Sequence, residues 1–283
     1  MNFPVNFTKM SGTGNDFIII DNRSGVVPED EMASLAVQVC RRRHSVGADG
    51  LILIHDDPEL DFSWRFFNSD GSEPEMCGNG ARCAARFAFT EKIAGPSMIF
   101  RTISGPIEAE MRGSRVRVQL TPPQGMERLF SLRIGGGNEI EAGFIDTGVP
   151  HTVILVADAD LDNTPVSELG REIRYHPRFA PAGTNVNFVA VSDTGTIRIR
   201  TFERGVEGET LACGTGAVAS AIICAARGLV TPPVEVRTHG GESLAIHTDP
   251  VDPAHGRAKL EGAAHIVYRG QLTEETVSGG KNV

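Results

Sequence analysis

Two cysteines, each directly ahead of a glycine-rich segment, are the residues of this sequence whose type and spacing could do chemistry. Cys77 lies in PEMCGNGARCAA and Cys213 in TLACGTGAVASA, and the alanines that follow favour a helix. The first N–H groups of a helix have no intrahelical acceptor and lie at the positive end of its dipole, so they suit a carboxylate. The same position favours the thiolate form of a cysteine. Each segment therefore predicts a carboxylate-binding site beside an activatable thiol.

Two such thiols on opposite faces of one carbon suit the inversion of an amino acid. One cysteine, as thiolate, would remove the α-proton, and the other, as thiol, would donate a proton from the opposite face. Fixed backbone dipoles would hold the negative charge that develops on the carboxylate. This chemistry requires neither a metal nor an imine cofactor, so we predict none. The four lysines (Lys9, Lys92, Lys259 and Lys281) lie outside glycine-rich loops, which argues against pyridoxal phosphate.

Other interpretations of the cysteines remain open at this point. Cys40, Cys83 and Cys224 are expected to pack in the core, since a lone cysteine in an apolar segment usually does. A structural zinc site is not expected, because no C-x-x-C pair is present and the histidines do not cluster. A disulfide between Cys77 and Cys213 would be an oxidation product of the active pair. The alternative from a different functional class is a non-enzymatic thiol protein, either a redox sensor or a binding module.

Four landmarks recur in the same order along the chain and indicate an ancient duplication. Thr13-Gly14 corresponds to Thr147-Gly148 at a separation of 134 positions, and Gly47 corresponds to Gly183 at 136. Cys77 and Cys213 are also 136 positions apart. Phe67 precedes the first of these cysteines much as Phe202 precedes the second. The chain therefore consists of two copies of a unit of about 130 residues, a length typical of one domain.

Short β-branched segments around a few helices predict an α/β (α+β) fold. The predicted strands are FIIID, LILI, RVRVQL, TVILV, TIRIRTF, PVEVRT and ESLAIHT. The helices after Cys77 and Cys213 are apolar nearly all round, so each should be buried inside its own sheet, ending near Gly95 or Gly228. A second helix is predicted in each half, near DEMASLAVQVCRRR and VSELGREIRYH. We place the first half at 1–126, with 265–283 returning to it, and the second at 127–264.

Composition excludes several functional classes. The net charge of −9 argues against nucleic acid and against an anionic membrane as partner. No apolar run approaches the roughly 20 residues of a transmembrane helix, and the start of the chain does not have the pattern of a secretory signal. Five cysteines, an odd number, favour reduced thiols and hence a cytoplasmic location.

Several long segments together resemble the diaminopimelate epimerase family. They are FTKMSGTGNDFIIIDNR, GADGLILI, FFNSDGSEPEMCGNGARCAARF, GTNVNFV and RTFERGVEGETLACGTGA, and the resemblance extends from about residue 6 to about residue 270. It implies two pseudo-symmetric halves, each a curled, mostly antiparallel sheet wrapped around a central helix, with the active site in the cleft between them. It also implies the cofactor-independent interconversion of LL- and meso-2,6-diaminopimelate in lysine biosynthesis, with a tendency to form a homodimer.

The resemblance also assigns roles to individual residues. Cys77 and Cys213 match the catalytic base and acid, and His151 matches a supporting histidine. The positions that match substrate contacts are Asn15, Asn68, Gly78, Asn79, Asn185, Glu203, Arg204, Gly214 and Thr215. Arg204 suits the far carboxylate of the substrate, and Glu203 suits the ammonium group near the reacting carbon. For Asp16, Asp49 and Asp70 we expect turn or capping roles instead.

Two departures from the family pattern concern substrate preference. Val149 stands where the family commonly has an asparagine before Pro150-His151, and Gly50 stands where a glutamine is frequent. Neither change touches the thiols. The alternatives at this stage are a related racemase for proline, hydroxyproline, glutamate or histidine, and the non-enzymatic thiol protein.

Overall fold

The computed structural model describes residues 1–249, 252 and 256–278, and the chain divides into two compact units. The first unit comprises Met1–Val118 and Gly262–Val283, and the second comprises Gln119–Glu261. Of the segment 265–283 that we predicted to return to the first half, residues 279–283 lie outside the described part of the chain.

The first unit is built from eight described strands and three described α-helices. The strands are β1 (Val5–Gly12), β2 (Asn15–Asp21), β3 (Gly50–His55), β4 (Phe62–Asn68), β5 (Ser97–Thr102), β6 (Gly105–Arg112), β7 (Arg115–Gln119) and β17 (His265–Leu272). The helices are α1 (Met32–Val39), α2 (Gly78–Thr90) and α5 (Glu274–Ser278), and a 3₁₀ turn at Glu29–Glu31 leads into α1.

The second unit is built from nine described strands and two described α-helices. The strands are β8 (Gln124–Arg133), β9 (Glu139–Asp146), β10 (Pro150–Leu155), β11 (Asn185–Asp193), β12 (Thr196–Glu203), β13 (Gly208–Thr210), β14 (Val234–Arg237), β15 (Ser243–His247) and β16 (Lys259–Ala263). The helices are α3 (Val166–Arg174) and α4 (Gly214–Ala226), with 3₁₀ turns at Gly135–Gly137, Leu161–Asn163 and Pro177–Phe179.

The strands of both units pair in the same order and direction. In the first unit the order is β17, β1, β2, β3, β4, β5, β6, β7, and only β2 with β3 and β4 with β5 are parallel. In the second unit the order is β8, β9, β10, β11, β12, β14, β15, β16, with parallel pairs at the same two places, and β13 pairs in addition with β12. The predicted fold class, α+β with two similar halves and mostly antiparallel strands, is confirmed.

Each parallel pair is connected through a helix, because a parallel connection has to return along the sheet. Helix α1 lies between β2 and β3 in the chain, and α2 lies between β4 and β5. Helices α3 and α4 occupy the same two places in the second unit. The predicted second helix of each half is thus confirmed, at α1 and at α3.

The apolar run LILI of β3 is explained by burial on both faces of the strand. Leu51 and Leu53 belong to the core that includes Leu35 and Val39 of α1. Ile52 points the other way, since a Cβ at Gly80 of α2 would lie 3.3 Å from its Cδ1. Strand β3 therefore separates α1 from α2, and its alternation places the start of α2 against the sheet.

The second unit packs its helices in the same manner. Val166 and Ile173 of α3 share a core with Phe188 and Phe202 of the sheet. The approach is close, because a Cβ at Gly170 of α3 would lie only 2.4 Å from the Cβ of Phe202. On the other side α4 contacts β9 to β12, β14 and β15, and the buried residues of α4 run from Gly216 to Cys224. Both central helices are thus packed within their own sheets, as predicted.

The ends of the two central helices differ from one another. Helix α4 ends where we predicted, with Gly228 at φ 70° directly after its last turn. Our prediction for α2 was wrong, because this helix ends at Thr90 and Lys92, not Gly95, takes the left-handed conformation at φ 59°. Among the described residues no helix is long and apolar enough to cross a membrane.

Candidate active site

Cys77 is the N-cap residue of α2. Its backbone is extended (φ −145°, ψ 111°), and its sulfur accepts a hydrogen bond from the N–H of Gly80 at 3.4 Å. Serine, threonine, aspartate and asparagine usually supply this cap, which is worth about 1 kcal/mol to a helix. The predicted helix start is confirmed, and the thiol lies among the first N–H groups of α2, with Gly78 as the first helical residue.

A chain of side-chain amides joins the start of α2 to the turn between β1 and β2. The Nδ2 of Asn79 donates to Asn15 Oδ1 at 2.7 Å, and the Nδ2 of Asn15 donates to Asp49 Oδ2 at 3.0 Å. Asn79 is only 5% exposed. Because each amide is held at both ends, the orientation of the Asn15 side chain is defined by its neighbours. The structure thus brings Asn15, Gly78 and Asn79 together around Cys77.

The side chain of Arg82, which was not among the residues predicted from sequence, fixes the orientation of these amides. Its side chain is fully buried, and its Nη2 donates to Asn79 Oδ1 at 2.8 Å and to Thr13 Oγ1 at 2.7 Å. Its Nη1 donates to the carbonyl of Gly78 at 3.2 Å. A guanidinium has only donors, so it requires that Asn79 present its oxygen here and its NH₂ group to Asn15. The buried cation also adds positive charge to the first turn of α2.

Ion pairs brace the same turn from the outside. Asp16 bonds to Arg42 at 2.6 Å and to Lys9 at 2.8 Å, and Arg42 also bonds to Asp49 at 2.9 Å. Burial alone would raise the pKa of Asp16, but hydrogen bonds from Arg42 and Lys9 hold that pKa below its ordinary value. Each of the two carboxylates also accepts the backbone N–H of the other residue, so Asp16 and Asp49 combine a turn-stabilising role with membership of an ion-pair network.

Asn68 lies at the end of β4, outside the hydrogen-bonded chain around Cys77. It is opposite Gly50 of β3, and its Nδ2 donates to Ser72 Oγ at 3.0 Å. Gly50 leaves space for an aromatic ring, because a Cβ there would lie 2.5 Å from Phe66 Cε2 and 2.8 Å from the carbonyl oxygen of Phe67. The ring of Phe66 thus occupies the space that a side chain at position 50 would need.

Cys213 is the N-cap residue of α4 and repeats the arrangement in the second unit. Its backbone is again extended (φ −123°, ψ 109°), it is 6% exposed, and its sulfur lies 3.5 Å from Thr215 Oγ1. Thr147 donates to the carbonyl of Thr215 at 3.2 Å. Gly214 is the first helical residue. The predicted helix start is confirmed here too, with a hydroxyl group next to the thiol.

Asn185 links β11 to the carboxyl end of β12. Its Nδ2 donates to the carbonyl of Pro150 at 2.9 Å, and its Oδ1 accepts from the backbone N–H of Arg204 at 2.8 Å. The guanidinium of Arg204 donates to the carbonyl of Ala182 at 3.2 Å. Asn185 thus holds the backbone at Arg204, and the position of the Arg204 side chain follows from it.

Glu203 precedes Arg204 and has an unusual setting for a carboxylic acid. Burial raises the pKa of Glu203 above its ordinary value, although a hydrogen bond from Thr210 Oγ1 at 2.9 Å opposes the shift. The same end of β12 therefore offers a partly desolvated carboxyl group and a guanidinium in adjacent residues. Glu203 is the last residue of β12, and Arg204 is the first residue of the turn that follows it.

His151 of β10 is fully buried in the second unit. Its Nδ1 lies 3.2 Å from the Nδ2 of Asn187, and the Oδ1 of Asn187 accepts from Thr201 Oγ1 at 3.0 Å. Burial, with a smaller contribution from the charge of Arg204, lowers the pKa of His151 to about 3. The imidazole is therefore neutral at any pH at which the protein would work.

The remaining cysteines are core residues, in agreement with the expectation from sequence. Cys40, Cys83 and Cys224 are 3% exposed or less. Burial raises the pKa of Cys40 and that of Cys224 to about 12, so neither is a thiolate near neutral pH. None of the five cysteines, all of which are described residues, forms a disulfide. In the described part of the chain no group of three or more histidine, cysteine, aspartate or glutamate side chains could hold a metal ion.

Sequence reasoning missed Arg82 and Asn187, and both left a weak signal. Arg82 is one of two arginines, with Arg86, in the alanine-rich helix that follows Cys77, and apolar or small residues surround it. Asn187 lies two residues after Asn185, so it shares a strand face with it while the surrounding residues of β11 are apolar. A polar residue inside a buried run requires a partner, which is the property that could have marked them.

Comparison with protein families gives a match over two segments. The family model described as "Diaminopimelate epimerase" matches residues 7–125 and 143–261. The diaminopimelate epimerase of Hydrogenobaculum sp. (strain Y04AAS1) is 48% identical over 278 residues, which is 95% of this chain and 98% of that protein. The enzyme of the same name from Aquifex aeolicus (strain VF5) is 48% identical over 286 residues, covering 96% and 99%. That from Archaeoglobus fulgidus is 44% identical over 94% of this chain and 95% of its own length.

Solved structures with the same fold are more distant in sequence. A phenazine biosynthesis protein of the PhzF family from Bacillus anthracis superposes with a TM-score of 0.69 at 16% identity, over 96% of this chain and 100% of that one. A hydroxyproline epimerase from Agrobacterium vitis, with bound trans-4-hydroxy-L-proline, superposes with a TM-score of 0.67 at 17% identity, over 99% and 95%. At these identities the similarity establishes the fold alone.

Proposed function

This chain belongs to the diaminopimelate epimerase family, isomerases of lysine biosynthesis that work without pyridoxal phosphate, and we propose that it interconverts LL- and meso-2,6-diaminopimelate through Cys77 and Cys213. The observation that supports the two-thiol mechanism most strongly is the equivalence of these cysteines. Each is the N-cap residue of a thirteen-residue helix that starts with glycine and is buried in its own sheet.

The reaction moves one proton off the α-carbon and another onto it. One cysteine, as thiolate, takes the α-hydrogen, and the electron pair of the C–H bond passes into the carbon and its carboxylate. The other cysteine, as thiol, delivers a proton to the opposite face, so the configuration inverts and the two sulfurs exchange protonation states. In the reverse direction their roles are exchanged.

The helix starts hold the carboxylate of the reacting centre. The N–H groups at Gly78 and Asn79 in one unit, and at Gly214 and Thr215 in the other, are directed by the first turns of α2 and α4 toward this anion. Fixed dipoles of this kind need no reorganisation as charge develops, which is why they favour the carbanion-like transition state.

The other polar residues bind the rest of the substrate. Glu203 accepts the ammonium group at the reacting carbon, and Arg204 binds the far carboxylate in a bidentate manner. Asn15, Asn68 and Asn185 complete the recognition of the second amino-acid centre, and His151 supports the thiol chemistry as a neutral hydrogen-bond donor. A substrate with two amino-acid ends explains why acceptors and donors are both needed.

The test is an epimerisation assay with reduced protein and LL-diaminopimelate, followed by separation of the isomers. We expect the unmodified protein to form the meso isomer. The Arg204→Ala variant should give no conversion at the same substrate concentration. Arg237→Ala is the matched control, since Arg237 is an exposed arginine of the same unit that bonds to Glu235. Retention of full activity in Arg204→Ala, or turnover of proline or glutamate in place of diaminopimelate, would favour the racemase alternative.

We propose a cytoplasmic location and a homodimer on separate grounds. Five cysteines without a disulfide suit a reducing compartment. Val267 and Tyr268 of β17 are exposed apolar side chains that a second copy could cover, being 56% and 44% exposed. The measurement is light scattering of the full chain under reducing conditions, for which we expect twice the chain mass, and a monomer would refute the dimer.

A further inference from the structure

We propose that Asn187 is a positioning residue that holds His151 as the tautomer with its proton on Nε2, so that His151 meets the bound anion as a fixed neutral donor. The role of this donor in catalysis rests on the proposed function. The tautomer itself follows from the geometry of the second unit. Asn187 is fully buried in β11, and it contacts β10 on one side and β12 on the other.

The orientation of the Asn187 amide is determined by its backbone partner. Its nitrogen lies 3.1 Å from the carbonyl oxygen of Thr152, which can only accept. The nitrogen must therefore be on this side of the amide, and the oxygen on the side of Thr201, whose hydroxyl donates to it at 3.0 Å. Exchanging the two ends would place the amide oxygen against a carbonyl oxygen and would be strongly unfavourable.

The tautomer of His151 follows from the amide orientation. One hydrogen of the Asn187 NH₂ group goes to Thr152, and the other points at His151 Nδ1, 3.2 Å away. Nδ1 must then accept, so it carries no proton. A neutral imidazole has one proton, which is consequently on Nε2.

The Nε2–H of His151 is buried and has no hydrogen-bond partner among the described residues. A buried donor without an acceptor costs more stability than a typical hydrogen bond contributes, and such donors are rare in folded proteins. Such a donor, held in one direction, is poised for an acceptor that arrives with the reaction, and in this enzyme that acceptor is an anion of the active site.

Asn187 also lies against the start of α4. A Cβ at Gly216 would be 2.3 Å from Asn187 Oδ1 and 3.2 Å from Cys213 Sγ. Glycine is therefore required at position 216, because only then can the amide of Asn187 and the thiol of Cys213 both approach the first turn of the helix. Asn187 connects His151 to the same helix start that carries Cys213.

The corresponding positions of the first unit are apolar, which indicates that the polar trio is not needed for the fold. Phe17 pairs with Gly50 as His151 pairs with Asn185, and Ile52 pairs with Phe66 as Asn187 pairs with Thr201. The same sheet position thus folds with two phenylalanines and an isoleucine. A buried polar trio costs desolvation that an apolar one does not, so its presence in the second unit indicates a role in the chemistry.

The direct test is the protonation pattern of the His151 ring in the unmodified protein without substrate. Two-bond ¹⁵N–¹H correlation spectra separate Nδ1-protonated from Nε2-protonated imidazoles, and the signals of His151 are identified by their loss in His151→Gln. We expect a neutral ring with the proton on Nε2 between pH 6 and 8. A proton on Nδ1, or an exchanging mixture, would overturn the proposal whatever the catalytic activity of the protein.

Variants of the network test its use in the reaction. Asn187→Asp replaces the donor to Nδ1 by an acceptor, so we expect the proton of His151 to move to Nδ1 and kcat to fall about 10- to 100-fold, the loss expected for one hydrogen bond to an anion. Thr201→Val is the control, because it removes the bond to Oδ1 and leaves both bonds of Nδ2, so the Nε2–H tautomer should persist.

The outcomes separate this proposal from the proposed function. If Asn187→Asp changes the tautomer while kcat and KM stay unchanged, the positioning role is wrong although the epimerase function stands. If the unmodified protein shows the Nε2–H tautomer but no epimerisation, the proposed function fails while the geometry holds. Should Asn187→Asp not fold, the spectrum of the unmodified protein and the Thr201→Val control still decide on the tautomer.

Discussion

Cys77 and Cys213 occupy the same position in their own units: each is the extended N-cap residue of a thirteen-residue helix that connects two parallel strands. The two helix starts are nevertheless different in chemistry. A buried guanidinium orients the first, through Asn79, whereas a neutral network of histidine, asparagine and threonine lies beneath the second. The duplicated fold thus provides two equivalent thiol positions with unequal surroundings, which suits a reaction that uses one thiolate and one thiol.

Thiol reactivity should be selective for Cys77. It is half-buried, whereas burial raises the pKa of Cys40 and that of Cys224 to about 12. Alkylation of native protein with iodoacetamide at pH 8, followed by peptide mass spectrometry, should modify Cys77 first and leave Cys40 and Cys224 unmodified. Denatured protein is the control, in which all five should react. Equal rates at Cys77 and Cys224 in the native protein would contradict the burial described here.

Glu203 should determine an acid limb of kcat/KM. Burial raises its pKa, so as pH falls from neutral the group becomes protonated earlier than an ordinary glutamate and no longer binds an ammonium group. We expect kcat/KM to fall on the acid side, and Thr210→Val to move this limb to higher pH because it removes the bond that opposes the shift. The same shift means that the contribution of Glu203 to stability is present at low pH and is lost as pH rises through its folded pKa. Glu203→Gln should lower kcat/KM and remove the limb, and an unchanged limb in this variant would assign it to another group.

Arg82 should be important for stability. Arg82→Leu removes donors from Asn79, Thr13 and the carbonyl of Gly78 in a buried place, and we expect a loss of about 1.5–3 kcal/mol in the free energy of unfolding. Urea denaturation measures it, and KM should rise because Asn79 and Asn15 lose their orientation. Arg86→Leu is the control on the same helix and should cost less, since the described residues give the exposed guanidinium of Arg86 a single hydrogen bond, to the carbonyl of Ser114. A stability equal to that of the unmodified protein would show that the guanidinium does not hold the amides.

Gly50 should tolerate no side chain. A Cβ at this position would lie 2.8 Å from the carbonyl oxygen of Phe67, which belongs to the paired strand and cannot move freely. Gly50→Ala should therefore cost about 1–3 kcal/mol, as overpacking in a core does. Gly208→Ala is the matched control in a strand, because nothing lies within 4 Å of a Cβ there. Equal denaturation midpoints for the two variants would mean that Phe66 and its strand shift without cost.

The elements that position the site could be predicted from sequence more fully than the residues that orient it. Cysteine followed by glycine and alanine indicates a helix start from local propensity, and both starts were confirmed. Arg82 and Asn187 could not be placed in the same way, because their roles depend on which strands and turns surround them. The end of α2 shows the limit on a smaller scale, since the left-handed residue is Lys92 and the glycine three positions later is not used. The roles of such residues depend on how deeply they are buried and on which strands pair around them, and a local sequence pattern shows neither.

The proposed mechanism requires two thiols that act at one carbon, and solvent hydrogen exchange tests this most directly. Reduced protein is incubated in D₂O with LL-diaminopimelate, and α-deuterium and the meso isomer are followed by NMR. The unmodified protein and the Cys40→Ala control should give deuterated meso product, whereas Cys77→Ala and Cys213→Ala should each reduce epimerisation to background. Epimerisation at the unmodified rate in either of these two variants would contradict the two-thiol mechanism.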